Sequence, residues 1–173
     1  MHDAAYQWVA KIAEARSVQQ DGRLAVAVEL GAYNVNGSVR DLFPSVTQWT
    51  GVDVRPGPGV DVVLPAEEYR ADVPVDLVVC TEVLEHTPNW REIVQNAYFM
   101  LRPRGVFIVT AASTGRTPHG CNGGDVGSEY YANIAADDLT AALMDAGFDC
   151  VSYDANESAG DVYAVAFVPG GAV

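Results

Sequence analysis

Short apolar, β-branched runs recur along this chain, each stopped by a turn signal and most of them separated by stretches of helical spacing. Residues 24–30 end at Gly31, residues 49–54 run into Arg55-Pro56-Gly57-Pro58-Gly59, and residues 60–64 stop at Pro65. Residues 75–80 and 105–110 repeat the pattern. Such runs, bounded by glycine and proline, read as buried strands. Between them residues 37–43, closed by Pro44, and residues 66–70 read as short helical pieces, and Pro88-Asn89-Trp90 opens a longer helix to about Leu101. In that helix Ile93, Val94, Ala97, Met100 and Leu101 share one face. Upstream, Ala5, Trp8, Val9, Ile12 and Ala13 follow a helical period within residues 4–18, so an N-terminal helix in residues 1–22 precedes the first strand.

The last third closes differently. A helix over residues 136–146 ends at Gly147. Two strands follow at 148–153 and 162–168, joined by a brief polar link that suits a hairpin. Strands alternating with helices require a parallel sheet covered on both faces, because each crossover lays a helix against the sheet. The expected fold is therefore α/β: a doubly wound, mostly parallel seven-stranded sheet with an antiparallel last strand and helices on both faces. A chain of 173 residues, 49% hydrophobic and 19% charged, buries such a core within a single domain, 1–173, without disulfides or structural metal.

Charge and cysteines narrow the function classes. A net charge of −13, with ten scattered Lys and Arg, argues against nucleic acid as a partner, since that contact depends on cations neutralising phosphates. No apolar run is long enough to span a bilayer, so no membrane contact is expected. The start, Met1-His2-Asp3, lacks signal-peptide character. Three cysteines exclude a complete disulfide framework. Together these point to a cytoplasmic protein, with Cys80 and Cys150 as buried hydrophobes and Cys121 in a polar loop.

In an open parallel sheet, ligands bind at the carboxyl ends of the strands where strand order reverses, so chemistry-bearing residues belong just after strands. Glu29-Leu30-Gly31 ends the first strand. There the glycine admits close backbone approach, and the Glu29 carboxylate can hold a cationic amino group. Asp53 ends the second strand 22 residues after Gly31, near the offset at which an acidic residue meets ribose hydroxyls. The fourth strand ends in Thr81-Glu82-Val83-Leu84-Glu85-His86, a polar cluster facing the same crevice.

These stretches resemble the motifs of class I S-adenosylmethionine-dependent methyltransferases, a Rossmann-like family. Residues 26–38, VAVELGAYNVNGS, look like its first motif, in the subgroup where Asn-Gly-Ser replaces the later glycines. Gly51-Val52-Asp53 resembles the second motif, residues 76–86 the fourth-strand motif, and residues 101–107 the approach to the fifth strand. The likeness is to small stand-alone, methyltransferase-type-11-like members. It implies S-adenosyl-L-methionine as cofactor, with Glu29 and the backbone near Gly31 at its methionine part. It also implies Asp53 at the ribose, Val54 beside the adenine, and Thr81 and Glu82 near the sulfonium. Many relatives place an acidic residue after the third strand to bind adenine, whereas this chain has Leu64-Pro65-Ala66 there, with Glu67 or backbone as substitutes.

The loop at 112–134 exceeds the usual length of a structureless connection, and its glycines interleaved with Arg116, His119, Asp125, Glu129 and paired tyrosines suit an acceptor-binding lid. His86 and His119 are the candidate general bases, needed only if the acceptor must lose a proton; His86 equally suits a capping role after the fourth strand. His119, Cys121, Asp125 and Glu129 match no strong zinc or calcium spacing, so no metal is expected from this loop. The acceptor expected is a small metabolite or sugar. Two other readings stand beside it: a non-catalytic cofactor-binding or regulatory subunit, and a nicotinamide-dependent oxidoreductase. The second is disfavoured by Tyr33 and Asn36-Gly37 where its phosphate fingerprint wants glycines.

Overall fold

The computed structural model describes residues 3–15, 24–35, 37–156 and 158–170, apart from the side chain of Cys150. Helix α1 (Asp3–Ala13) precedes strands β1 (Val26–Leu30), β2 (Gln48–Asp53), β3 (Val62–Val63) and β4 (Val75–Thr81). Helix α2 (Trp90–Met100) leads into β5 (Leu101–Ala112), and helix α3 (Ala136–Ala146) into the hairpin of β6 (Asp149–Asn156) and β7 (Asp161–Phe167). The sheet has seven strands in the order β3-β2-β1-β4-β5-β7-β6. Pairings β1 with β2 and β4, β2 with β3, and β4 with β5 are parallel, while β7 runs antiparallel to both β5 and β6. This is the doubly wound, mixed sheet expected from the sequence.

The period-2 alternation of the strands divides the core into two layers. In β4, Val78 and Cys80 face the layer holding Ile93 and Val94 of α2 and Leu139 and Leu143 of α3. Leu77 and Val79 face the other, with Trp8, Val9 and Ala13 of α1. Because β4 is buried on both faces, its sequence reads as a continuous apolar run. Burying each such side chain contributes about 1.5–3 kcal/mol. Trp8 stacks on Tyr163 at 5.2 Å between ring centroids, which ties α1 to β7. Helix α3 ends where Gly147 takes φ +108°, and a Cβ there would lie 2.8 Å from the Tyr98 ring. Both demands select glycine.

Several local expectations need correction. Residues 37–43 form no α-helix; only a single 3₁₀ turn, Arg40–Leu42, is present. The stretch between Gly37 and Pro44 is too short to repay helix nucleation, and Val39 and Phe43 are instead drawn into the α1 layer. Residues 66–68 make a turn rather than a helix. There the buried side chain of Asn96 donates to the carbonyls of Ala66 and Tyr69, both at 2.7 Å, satisfying backbone that a helix would otherwise satisfy. The third strand pairs over only two residues, because Asp61 turns inward: its N–H donates to Gly51 O at 2.8 Å and its Oδ2 accepts from Gly51 N–H at 2.7 Å. The N-terminal helix is described to Ala13, and its expected continuation past residue 15 lies outside the described residues. Cys80 is buried as expected, whereas the side chain of Cys150 is likewise outside.

The amino end of the sheet is stapled by Asp76. Its Oδ2 accepts from the N–H groups of Ala25 (2.7 Å) and Val26 (2.9 Å), and Arg102 Nε donates to its Oδ1. Burial works against the charge of Asp76, but these donors outweigh it and hold its carboxyl below the usual range.

Candidate active site

Strand order reverses between β1 and β4, since the chain runs outward from β1 through β2 to β3 before returning to β4. Leu30 pairs with Val52 on one side and Cys80 on the other, so Gly31, Asp53 and Thr81 emerge side by side at this switch point. A cleft of about 440 Å³ opens there. All eight residues singled out in the sequence, Glu29, Gly31, Asp53, Val54, Thr81, Glu82, His86 and His119, line it. A wider depression of about 850 Å³ lies between α1 and the β6–β7 hairpin, away from the switch point and bordered by none of these residues.

Gly31 is required twice over. Its φ is +77°, and a Cβ would lie 2.1 Å from Val83 Cγ2, so only glycine lets the turn after β1 pass under the segment after β4. The N–H groups of Gly31 and Ala32 both donate to Val52 O, at 2.8 and 3.0 Å. Asp53 then fastens the next stretch: its Oδ2 accepts from Tyr33 N–H (3.1 Å) and its Oδ1 from Arg55 N–H (3.0 Å). Beside it Val54 is 63% exposed, an apolar side chain left open toward the cleft next to a charged one. Arg55 lies over the Tyr33 ring at 4.8 Å and closes this corner.

Glu29 is buried, and Arg40 Nε donates to its Oε2 at 2.7 Å while Arg40 Nη2 donates to Gly59 O at 2.7 Å. Burial pushes the Glu29 carboxyl above its ordinary value, even with the guanidinium and the Ser38 hydroxyl pulling it down. Arg40 is a site residue that the sequence did not disclose: nothing in its spacing marks it, because the 3₁₀ turn and not a motif brings it to Glu29. Glu82 sits at φ +58°, rare for a residue with a side chain. Its N–H donates to Thr110 O at 2.9 Å, and its Oε1 accepts from Thr110 Oγ1 at 2.8 Å, so β5 holds it in that conformation. Glu67, the proposed substitute at the adenine end, lines the cleft with Pro65 and Ala66 and accepts from Asn89 Nδ2 at 2.8 Å.

The long loop is folded over the other end of the cleft. Arg116 anchors it by donating to Asp161 Oδ1 (3.0 Å) and Ala159 O (2.9 Å), and Asp161 Oδ2 accepts from the Tyr163 hydroxyl at 2.7 Å. Beyond that anchor His119, Gly120 and Cys121 reach the cleft wall. His119 meets His86 edge-on at 5.3 Å, and Tyr131 stands against both rings, at 5.6 Å from His86 and 5.0 Å from His119. Burial first, and then the neighbouring His119, hold His86 below the ordinary imidazole value, so it is neutral near neutral pH. Burial and the charge of Glu85 push the Tyr131 hydroxyl up to about 12.

A family model described as "Methyltransferase domain" matches residues 25–153. The chain belongs to that family. The match spans β1 to β6 and so contains every residue placed around the cleft, and it leaves the nicotinamide oxidoreductase reading without support. No curated protein matches this methyltransferase domain by sequence. Its fold is shared with a Burkholderia thailandensis 1,6-didemethyltoxoflavin-N1-methyltransferase with bound 1,6-didemethyltoxoflavin and S-adenosylhomocysteine. That likeness has 20% identity and TM-score 0.67, over 96% of this chain and 79% of that one. An S-adenosylmethionine-dependent methyltransferase from Clostridium acetobutylicum superimposes with TM-score 0.71 at 10% identity, over 95% and 92% of the two chains. S-adenosylmethionine-bound CalS10, an amino pentose methyltransferase from Micromonospora echinaspora, does so with TM-score 0.68 at 16% identity, over 94% and 89%. Among the described residues no helix is long and apolar enough to cross a membrane.

Proposed function

We propose that the whole chain, 1–173, works as one cytoplasmic unit that transfers the methyl group of S-adenosyl-L-methionine to a small metabolite or sugar. The observation that carries this reading is the juxtaposition of Gly31, Asp53 and Thr81 at the switch point of a methyltransferase-family sheet. The residues present fit the cofactor. A Cβ-free cradle at Gly31 admits the chain of a methionine moiety, Asp53 offers carboxylate oxygens to ribose hydroxyls, and exposed Val54 offers an apolar face to adenine. Glu29, lying deepest and shared with Arg40, orients the amino-acid end as part of an ion-paired cluster rather than as a lone carboxylate.

S-adenosylmethionine supplies an electrophilic methyl on a sulfonium, whose C–S electrons stay on sulfur when the acceptor lone pair attacks. The chain's contribution is positioning and exclusion of water, which for an in-line displacement is a large share of the acceleration. Thr81 and Glu82, at the end of β4, form the floor between the two halves of the cleft. The loop at 112–134 covers the acceptor half, where His86 and His119 line the cleft and burial holds the His86 imidazole below its ordinary value. A small acceptor is supported by the cleft's size and by two fold neighbours, one with 1,6-didemethyltoxoflavin bound and the other an amino pentose methyltransferase. A cytoplasmic setting is supported by the odd cysteine count.

Titration calorimetry tests the cofactor. S-adenosylmethionine and S-adenosylhomocysteine should each bind one per chain, and NAD should give no heat of binding. Binding of NAD with no response to either adenosyl ligand would overturn the reading.

A further inference from the structure

Beside the wall of the cleft formed by His86 and His119, the buried Glu85 joins them in a cluster: each residue offers one potential ligand atom, and the three atoms lie within 4.8 Å of one another. Glu85 is the unusual member. It is 0% exposed, and neither carboxylate oxygen has a hydrogen-bond partner. The amides of Glu85 and Ala112 are near enough to temper its charge, but neither reaches hydrogen-bonding geometry. His86 Nε2 lies 3.9 Å from Oε1. Burying a carboxylate without partners costs several kcal/mol, so a fold that retains one there needs a compensating charge or a proton.

We propose that Glu85, His86 and His119 bind one divalent first-row transition cation, held where it would coordinate an oxygen of the methyl acceptor. Two imidazoles and one carboxylate form a mixed nitrogen–oxygen set, which suits zinc, cobalt, manganese or iron better than the all-oxygen shells of magnesium and calcium. One imidazole, His119, is prepared for it. His119 Nδ1 lies 3.1 Å from Thr117 O, and because a carbonyl only accepts, Nδ1 carries the proton and Nε2 is left with its lone pair. His86 Nδ1 is buried without a partner. Donor distances near 2.0–2.2 Å would draw the three atoms to roughly 3–3.5 Å apart. That closure is small: His119 can supply its share from its loop, and side-chain rotation of Glu85 and His86, 3.9 Å apart, the rest.

The sequence hides this set because two ligands adjoin on the turn after β4 and the third comes from the loop after β5. Spacing within the loop alone, among His119, Cys121, Asp125 and Glu129, matches no metal pattern, and Glu129 Oε2 accepts from Cys121 N–H at 2.7 Å. Three protein ligands leave positions open for an acceptor, the arrangement of catalytic rather than structural metal sites. The cation takes the lone pairs that would otherwise make His86 and His119 proton acceptors. An acceptor bearing a hydroxyl or a pair of neighbouring oxygens is the class that such a site selects. This selection rests on the methyl-transfer reading above; the metal site itself does not.

The test is cobalt(II) titration of the metal-stripped full chain, followed by visible absorption and calorimetry. S-adenosylhomocysteine binding is measured on the same samples. The wild type should bind one cobalt per chain and develop ligand-field bands, and His119→Ala should bind it at least tenfold more weakly with altered bands. Glu85→Gln should do the same if it folds. Should it not fold, His119→Ala, on the loop surface, still decides. Absence of stoichiometric cobalt binding by the wild type overturns the proposal, as does equal affinity with unchanged bands in folded His119→Ala. Loss of S-adenosylhomocysteine binding with cobalt binding intact would instead refute the cofactor reading and leave the metal site standing.

Discussion

Replacing Asp53 by alanine removes one carboxylate that has two duties on the proposed assignment. In the free protein it accepts from Tyr33 N–H at 3.1 Å and Arg55 N–H at 3.0 Å, at a side chain only 11% exposed. Hydrogen bonds to a charged acceptor contribute about 1.5–3 kcal/mol each, and the bond to Arg55, at the surface, belongs at or below the low end. Alanine should therefore cost about 2 kcal/mol of stability and lower Tm by roughly 4–8 °C. The second duty is toward the ribose. Two hydroxyl bonds lost at a partly solvated site correspond to roughly a ten- to hundredfold weaker cofactor, at about 1.4 kcal/mol per tenfold.

The two effects separate by ligand chemistry. Calorimetry with S-adenosylhomocysteine should show the full loss in Asp53→Ala and a milder one in Asp53→Asn, which keeps an acceptor oxygen without the charge. An analogue lacking both ribose hydroxyls should bind wild type and Asp53→Ala with the same affinity, closing a cycle that isolates the hydroxyl contacts from any loosening of the Tyr33 turn. Unchanged S-adenosylhomocysteine affinity in folded Asp53→Ala would refute the reasoning. An equal loss for the deoxy analogue would assign Asp53 to the turn alone.

Gly31→Ala should destabilise the chain by about 2–4 kcal/mol in urea unfolding, combining a left-handed backbone at φ +77° with overlap on Val83, while a small surface substitution elsewhere costs little. Asp76 contributes stability above the unfolded-state pKa of an aspartate that is lost as pH falls through its depressed folded value. Asp76→Asn should therefore be less stable at neutral pH and show a flatter acid limb below about pH 4 in a melting series. Arg116→Met should cost about 2 kcal/mol or more, below the 3–5 typical of fully buried pairs because Arg116 is partly exposed, and should raise protease sensitivity within residues 112–134. Equal cleavage rates in wild type and variant would show that Arg116 does not anchor the loop.

What the sequence discloses of this molecule is what local pattern encodes. The strands β1, β4 and β5 are apolar on both faces, so their runs are plain, and their ends mark Glu29, Gly31, Thr81 and Glu82 without further help. Asp53 is legible because β2 ends on it. What stays hidden is set by pairs far apart in sequence. Arg40 reaches Glu29 through a 3₁₀ turn within residues 37–43, a stretch that reads in the sequence as a helical piece closed by Pro44. Asp76 and Arg102 join the amino ends of neighbouring strands, and Asn96 replaces backbone bonds at residues 66 and 69. The cluster of Glu85, His86 and His119 depends on how the loop after β5 folds back, and neither periodicity nor motif spacing reports that.

The charge of the cleft bears on turnover. Glu29, Asp53, Glu67 and Glu82 line it, against Arg55 and Arg116, with Arg40 pairing Glu29 from behind. S-adenosylmethionine carries one more positive charge than S-adenosylhomocysteine, because the sulfonium becomes a thioether on transfer. On the proposed assignment, carboxylates facing that sulfur would attract the substrate form and lose the attraction once the methyl has left. Each such pair is worth about 1 kcal/mol at 4 Å even at the dielectric of water, and more where the loop excludes solvent. On that assignment the same residues would hold the product less tightly than the substrate, which would aid release. A cation on Glu85, His86 and His119 would compensate the buried Glu85, whose charge the neighbouring Glu82 opposes. On both proposals the two halves of the cleft would have separate electrostatic tasks: an acidic half for a cationic cofactor, and a cation-bearing half for an electron-rich acceptor.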